Sequence, residues 1–433
     1  MSIERRHLVP DPIAGTIELP TWLVKIKDEQ AVRRMLFIKQ LGLKAYVDFP
    51  GAMHTRYSHA LGTMHLTGKI VDLLIQKMSA KSKQTLVECL KFNRAVLVTA
   101  GFLHDIAHGP FSHAVDFAMK KITGKSHQDL AEHIIANTLP KDFENWTDKS
   151  QVIKLIRGKH AYPFLSQIIN GPIDMDKLDY LLRDAYHVGL KYSFDLDYFL
   201  DSYTILGDES HLNNCKLGLE NNPQATVTAE LFLVIWKSMY DLVYHAQDSR
   251  IAEKMLEKAI LLNKDNDKIT EMFKDTGSFL ELYDDVLLSR LRASGDKSAE
   301  LINGIMTNRI YTCLLSTELD QEHFQMSPNF LASLGDEKDD ETSDFLSEEL
   351  NRKCGQSEYQ YICDIVASKA PSEIPIDMKD EDTDEYVDLR KRSRIIGAIQ
   401  SLRRLKIYVN PSLSNPPSQE VINSTIKEII EGV

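Results

Sequence analysis

Eight of the chain's 14 histidines fall between His54 and His133. They sit in H-T-R-Y-S-H (54–59), H-D-I-A-H-G-P-F-S-H (104–113) and S-H-Q-D (126–129). A lone histidine is usually a surface residue or a hydrogen-bonded core residue. That reading weakens for His104-Asp105, which follows the apolar run AVLVTAGFL. A buried carboxylate beside an imidazole is costly unless a positive charge compensates it. A divalent metal supplies that charge, and imidazole with carboxylate is an ordinary ligand set for Fe, Mn, Zn, Ni or Co. Two further ligands are wanted from other helices. His59 opens an earlier helical pattern and Asp176 lies on the polar face of a later one. Ligands from three facing helices converge readily on one ion in a helical bundle.

The elements that must hold these groups read as follows. DPIAGTIELP (11–20) is a turn or short hairpin. Helical spacing runs from Trp22 to Gly42 and from Ser58 to Met78. Residues 92–108 form a largely buried helix stopped by Gly109-Pro110. Short helices follow over Ser112–Lys121 and Gln128–Asn137. After Gly171-Pro172, Asp176, Tyr180, Arg183 and Asp184 share one helix face. Residues 228–262 read as one long helix, and 279–294 and 296–308 as two more. Beyond Gly335 the acidic stretch DEKDDETSDFLSEE reads as solvated and mobile. YQYICDIV and LKIYVNP read as strands, with a helix over 390–404. The expected architecture is mainly α: a helical domain over 1–330, then an acidic linker and small α+β appendage over 331–433.

Composition narrows the class. The 433 residues are 43% hydrophobic and 26% charged, enough to bury a core without disulfides. The five cysteines are scattered with no C-x-x-C pair, which implies reduced thiols and a cytoplasmic protein. No apolar run of membrane-spanning length and no signal-like N-terminus is present, so no membrane partner is expected. The net charge of −12 is local. Residues 336–388 hold 18 acidic and 5 basic side chains, and the remaining 46 basic and 45 acidic residues nearly cancel. An anionic substrate elsewhere is therefore compatible with the overall charge. Basic residues do not interleave with aromatics in a patch, so nucleic acid is possible but not indicated as a partner.

The motifs FPGAMHTRYSHALG, GFLHDIAHGPFSH and NGPIDMDKLDYLLRDAYHVG occur together with DPIAGTIEL, FIKQLG and a looser SMYDLVYH. In order and spacing, from about Asp11 to Met255, they resemble the deoxynucleoside triphosphate triphosphohydrolases of the HD-domain metal-dependent phosphohydrolases. The resemblance implies an HD-domain helical bundle and cleavage of a dNTP to deoxynucleoside and tripolyphosphate. It implies one divalent transition metal per chain held by His59, His104, Asp105 and Asp176, with Mg as a possible nucleotide-bound ion. His127, with Asp116 and His108, corresponds to the acid/base group. Arg56, His113 and Lys177 correspond to phosphate contacts. Gln40, Leu41, Tyr180, Asp184 and Tyr244 correspond to residues around the sugar. A homodimer or homotetramer is implied as well. Blander readings stand beside these: His127 as a residue following a helix-capping Ser126, Asp184 paired with Arg183 or another cation on a solvated face, and Tyr244 and Leu41 as core.

The chain departs from the relatives in two places. A phosphate-binding arginine of the helix corresponding to 228–250 aligns with Trp236, so either the phosphate grip differs or another cation, such as Arg250, replaces it. Of an Asp, Gln and Arg that read an activating guanine nucleotide, only Asp28 is matched, with Arg33 and Leu36 at the other positions. Activation of that kind is not expected. Two alternatives use the same residues: an HD-type phosphodiesterase or exonuclease with a second ion among His108, His113 and His127, and a nucleotide- or nucleic-acid-binding regulator with little turnover.

Overall fold

The computed structural model of the chain describes residues 6–140, 147–264, 266–319, 338–356, 359–368, 370–379 and 386–431. The expected hairpin is present: β1 (His7–Asp11) pairs antiparallel with β2 (Gly15–Leu19). Asp11 Oδ1 closes its turn by accepting the Ile13 and Ala14 N–H groups at 2.9 and 2.8 Å.

The helix expected over Trp22–Gly42 is instead α1 (Thr21–Val24), α2 (Gln30–Arg33), a 3₁₀ turn (Arg34–Phe37) and extended chain. Backbone bonding explains the break. Gln40 N–H donates to His54 O at 3.0 Å and Arg56 N–H to Ile38 O at 2.9 Å. The groups that would continue a helix are taken by the segment leading into α3 (Arg56–Ala80). A Thr55/Ser58 capping box fixes the first turn of α3 and so the direction of Arg56 and His59. α4 (Gln84–Leu103) packs along α3 and ends one residue before His104, short of the expected position 108. His104 and Asp105 therefore stand on the turn that leaves a buried helix.

α5 (His113–Thr123) and α6 (His127–Asn137) follow, the second opened by a Ser126/Asp129 capping box. Next come α7 (Lys149–Ile156), α8 (Pro163–Gln167) and α9 (Met175–Val188), whose N-cap Asp174 accepts the Lys177 N–H. α9 crosses α3 at Gly62, where a Cβ would lie 1.8 Å from Asp179 Oδ1. Only glycine leaves room there for the Asp179 and Arg183 side chains. α10 (Leu196–Leu200), β3 (Tyr203–Leu206), β4 (Lys216–Leu219) and α11 (Pro223–Met239) lead to a π turn over Tyr240–Tyr244. That turn and extended Ala246 split the expected 228–262 helix, and α12 (Gln247–Leu262) resumes it. A π turn rotates side chains relative to the helix before it and is common at functional sites.

α13 (Asp267–Lys274) precedes α14 (Thr276–Leu280) and α15 (Asp284–Ala293), which are separated by extended Tyr283 within the expected 279–294 helix. α16 (Lys297–Met306) matches its expectation.

The C-terminal part holds β5 (Thr312–Glu318), α17 (Asp339–Lys353), β6 (Tyr361–Ser368), β7 (Asp377–Lys379), β8 (Tyr386–Asp388), β9 (Leu402–Val409) and α18 (Gln419–Glu431). β9 is the centre of an antiparallel sheet in the order β5-β9-β6. Its pairing from Leu402 onward replaces the helix expected over 390–404, of which only short 3₁₀ turns remain. β7 joins β4 in parallel, so this segment also extends a sheet begun in the helical part. The acidic stretch is not mobile over its described residues. Ser343, Ser347 and Asn351 of α17 recur every four residues and accept the Ile365, Cys363 and Tyr361 N–H groups of β6 at 2.9, 2.8 and 3.0 Å. The helix thus covers a sheet edge that would otherwise be open. Asp336 and Glu337, and the expected division near residue 330, fall outside the described residues.

The fold is mainly α, a helical domain with a small α+β appendage. One core runs from the hairpin through α16 and takes in Ile362, Met378 and Tyr408. A smaller core lies between α17, α18 and the β5-β9-β6 sheet, around Leu346, Leu350, Ile407 and Ile426. Among the described residues, no helix is long and apolar enough to cross a membrane.

Candidate active site and metal centre

The end of α4 and the first turns of α3 and α9 meet at one point. His59 Nε2 lies 3.1 Å from His104 Nε2 and 2.9 Å from Asp176 Oδ1. Each ring has its other nitrogen engaged. His104 Nδ1 is 2.9 Å from Gly101 O, which can only accept, so Nδ1 carries the proton. His59 Nδ1 is 2.8 Å from Asp179 Oδ2. Asp179 in turn accepts from Arg183, which also binds Asp11 of the hairpin. With both Nδ1 atoms donating, two imidazole lone pairs and a carboxylate oxygen face one another. Such a group is held by a cation between its members, a proton on His59 or a metal ion in its place. Burial pulls the His59 pKa down, but Asp176 and Asp179 outweigh it and carry it up to about 10. The donor set therefore fits a divalent ion bound by His59, His104 and Asp176, with Asp179 orienting His59 from behind.

Asp105 stands at the edge of this set. Its oxygens are 3.7 Å from His59 Nε2 and 3.4 Å from His104 Nε2, and Arg56 binds Oδ2. Burial pushes its pKa up, but Arg56 and His104 hold it well below the carboxylate range.

A second group, His108, Asp116 and His127, lies beside the first. The His108 and His127 rings stack at 4.6 Å, and Asp116 Oδ2 is 3.0 Å from His113 Nδ1 and 3.4 Å from His127 Nδ1. Burial and Arg56 push His108 down to about 3, so it is neutral. Burial also works against protonation of His127, but Asp116 prevails and holds its pKa above the ordinary imidazole value.

These groups open on a cavity of about 440 Å³, within the range of small-molecule sites. Every residue expected at the site lines it except His59 and Asp116, which stand behind His104 and His127. Lys177 Nζ is bound to Asp174 Oδ2 at 2.7 Å, and the His113 side chain is 76% exposed at the rim. Asp184 does not pair with Arg183. Its oxygens bind His54 Nε2 at 2.7 Å and the Tyr244 hydroxyl at 2.8 Å. Tyr180 and Tyr244 meet edge to face, with ring centroids 6.0 Å apart. Trp236 is buried and packs on Tyr240, away from the cavity, whereas Arg250 lines it.

The sequence reading missed Lys44, Tyr240, His245 and Glu253 in the wall. Tyr240 and His245 were within reach of it, since they flank Tyr244 in the quoted SMYDLVYH. Lys44 and Glu253 bind each other from distant segments, which no local pattern marks. His54, orienting Asp184, was equally hidden by its position inside the histidine run.

Residues 56–184 match the HD domain and residues 210–415 the HD associated region, and the chain belongs to the HD-domain family. It is 27% identical over 341 residues to the deoxynucleoside triphosphate triphosphohydrolase SAMHD1 homologue of Dictyostelium discoideum, covering 75% of this chain and 63% of that protein. It is 33% identical over 298 residues to an uncharacterised protein of Methanocaldococcus jannaschii, covering 68% and 57%. The chain thus spans about six tenths of the length of these relatives. The fold is that of a hypothetical protein from Aquifex aeolicus, with a TM-score of 0.72, 24% identity, and coverage of 98% of this chain and 100% of that one.

Proposed function

We propose that the protein is a metal-dependent phosphohydrolase that cleaves deoxynucleoside triphosphates to deoxynucleoside and tripolyphosphate. One observation carries the reading: His104 and Asp176 of the donor set, with His59 behind them, line the same cavity as the Tyr180–Asp184–Tyr244 wall. Similarity to triphosphohydrolases over three quarters of the chain supports it.

In this reading one divalent transition metal (Fe, Mn, Zn, Ni or Co) is held by His59, His104 and Asp176, with Asp105 completing the set. A bound divalent ion supplies Lewis-acid polarisation of a phosphoryl oxygen and a more acidic water. Arg56, His113 and Lys177 face the phosphates, where cations stabilise charge spread over the oxygens. His127, kept protonated by Asp116, gives its proton to the departing 5′-oxygen. His108, neutral, packs on the His127 ring and keeps it facing the cavity. Asp184, fixed by His54, accepts from the sugar 3′-hydroxyl, while Gln40, Leu41, Tyr180 and Tyr244 close around the sugar. A homodimer or homotetramer in the cytoplasm belongs to the same reading.

The test is incubation with each dNTP and rNTP, singly and mixed, with Mn²⁺, Mg²⁺ or Co²⁺, and separation of products by ion exchange. Deoxynucleoside and tripolyphosphate, absent with a His104→Ala/Asp105→Ala variant, are expected. No tripolyphosphate from a metal-loaded wild type would overturn the reading. Phosphodiester cleavage is the second reading, favoured by the second His/Asp group beside the first. Two ions per chain with diester turnover would select it.

A further inference from the structure

Two loops contribute to the cavity wall beside the metal donor set. Residues 38–42 bring Gln40 and Leu41, and residues 109–113 bring Ser112 and His113. The second loop is strained. Phe111 and Ser112 both have φ +57, and Ser112 has ψ −124, a region that non-glycine residues rarely occupy. Such backbone persists only where its surroundings over-determine it. The loops press together: a Cβ on Gly42, itself at φ +51, would lie 2.8 Å from Phe111 O. The strained residue also serves the site, since Ser112 Oγ accepts from Arg56 Nε at 2.9 Å and donates to Lys39 O at 3.3 Å.

One buried side chain joins the two loops from outside the cavity. Asp284, the first residue of α15 and 1% exposed, accepts the Phe111 N–H on Oδ1 at 2.7 Å and the Lys39 N–H on Oδ2 at 3.0 Å. Lys39 Nζ stands 3.8 Å from Oδ2. A carboxylate taking two backbone N–H groups from segments over 70 residues apart fixes their separation, because each oxygen is committed to one loop. Asp284 does not line the cavity.

We propose that Asp284 is a positioning residue that clamps the 38–42 and 109–113 loops together and so sets Gln40, Leu41, Ser112-bound Arg56 and His113 for substrate. The donors His59, His104 and Asp176 stand on α3, α9 and the end of α4 and make no hydrogen bond to Asp284, whereas Asp105 is reached from the clamped loop through Arg56. For its substrate the proposal rests on the reading above; the clamp itself does not.

The experiment compares full-length wild type with Asp284→Asn, Asp284→Glu and Leu287→Ala. Asparagine keeps the size but turns an amide NH₂ toward one backbone N–H. Leu287 is buried on the same helix and contacts neither loop's backbone through a polar atom, so it controls for plain destabilisation. Amide hydrogen exchange of both loops is read on the metal-loaded proteins, with kcat and KM for whichever nucleotide the wild type turns over. Asp284→Asn is expected to raise exchange in both loops at least tenfold, leave metal content at wild-type level, and lower kcat/KM at least tenfold, mainly through KM. Asp284→Glu is expected to recover part of both losses. Leu287→Ala, at a matched fall in Tm, is expected to leave KM within twofold. Exchange unchanged in either loop, or the same KM change in Leu287→Ala, overturns the proposal. A wild type that turns over no nucleotide defeats the functional reading alone, and the exchange result still decides the clamp.

Discussion

Asp364, on strand β6 and wholly buried, holds the guanidinium of Arg250 in the cavity wall, 114 residues earlier, at 2.6 and 3.2 Å. The Tyr408 hydroxyl donates to the same carboxylate at 3.0 Å. The β5-β9-β6 sheet therefore supports a residue of the candidate site itself. Arg250→Met leaves Asp364 charged and without its main partner. Breaking such a buried pair costs about 3–5 kcal/mol. Denaturant unfolding near neutral pH is expected to show a loss of that order. The double variant Arg250→Met/Asp364→Leu is expected to be more stable than Arg250→Met alone, because the lone charge is gone. A loss under about 1 kcal/mol, as for exposed pairs, would show that water reaches the pair freely.

Asp179 is expected to govern metal affinity without touching the ion. It fixes the His59 tautomer at 2.8 Å, and the Arg183–Asp11 link fixes Asp179. Removal of an orienting carboxylate of this kind lowers metal affinity about 10–100-fold. Asp179→Asn is expected to lose metal to a competing chelator at correspondingly lower chelator concentration. Retention equal to wild type would mean that His59 keeps its orientation without the carboxylate.

How much of this was legible in the sequence depended on whether partners share a helix pattern. His59 and Asp176 could be placed because each stands near the start of a helical pattern, His104 because a His-Asp pair follows an apolar run, and Tyr180 and Asp184 because they follow Asp176 at helical spacing. Asp284 was not legible, because its partners are backbone N–H groups, which no residue type advertises. The break at Tyr240–Tyr244 was missed because the turn, YDLVY, holds neither the Pro nor the Gly that marks the end of a helix in a sequence. α17 was hidden by its acidic outer face. Its signal, Ser343, Ser347 and Asn351 at four-residue spacing, is polar where a core-facing stripe is normally apolar.

In the proposed reaction His127 is the general acid, and that role predicts a pH limb. Burial lowers the imidazole pKa, and Asp116 raises it by more, so the folded value lies above the ordinary one. A general acid works while protonated, so kcat/KM is expected to fall as pH rises through that value. Asp116→Asn removes the raising charge, and the limb is expected to move to lower pH by about 1–3 units. A limb that stays in place in Asp116→Asn would assign it to another group.

Discrimination against ribonucleotides is expected to rest on Tyr244. Its hydroxyl is tied to Asp184, and its ring meets Tyr180 edge to face, so two contacts hold the ring at the cavity wall, where the proposed sugar site lies. A pocket that excludes one small group by shape discriminates by about 1–3 kcal/mol, or roughly 10–200-fold. Tyr244→Phe keeps the ring and loses the tether, whereas Tyr244→Ala opens the space. The ratio of kcat/KM for a dNTP to that for the matching rNTP is expected to fall at least tenfold in Tyr244→Ala. In Tyr244→Phe it is expected to fall only slightly, while KM rises for both as Asp184 loses one of its two partners. An unchanged ratio in Tyr244→Ala would place the discrimination at Leu41, which lines the same cavity.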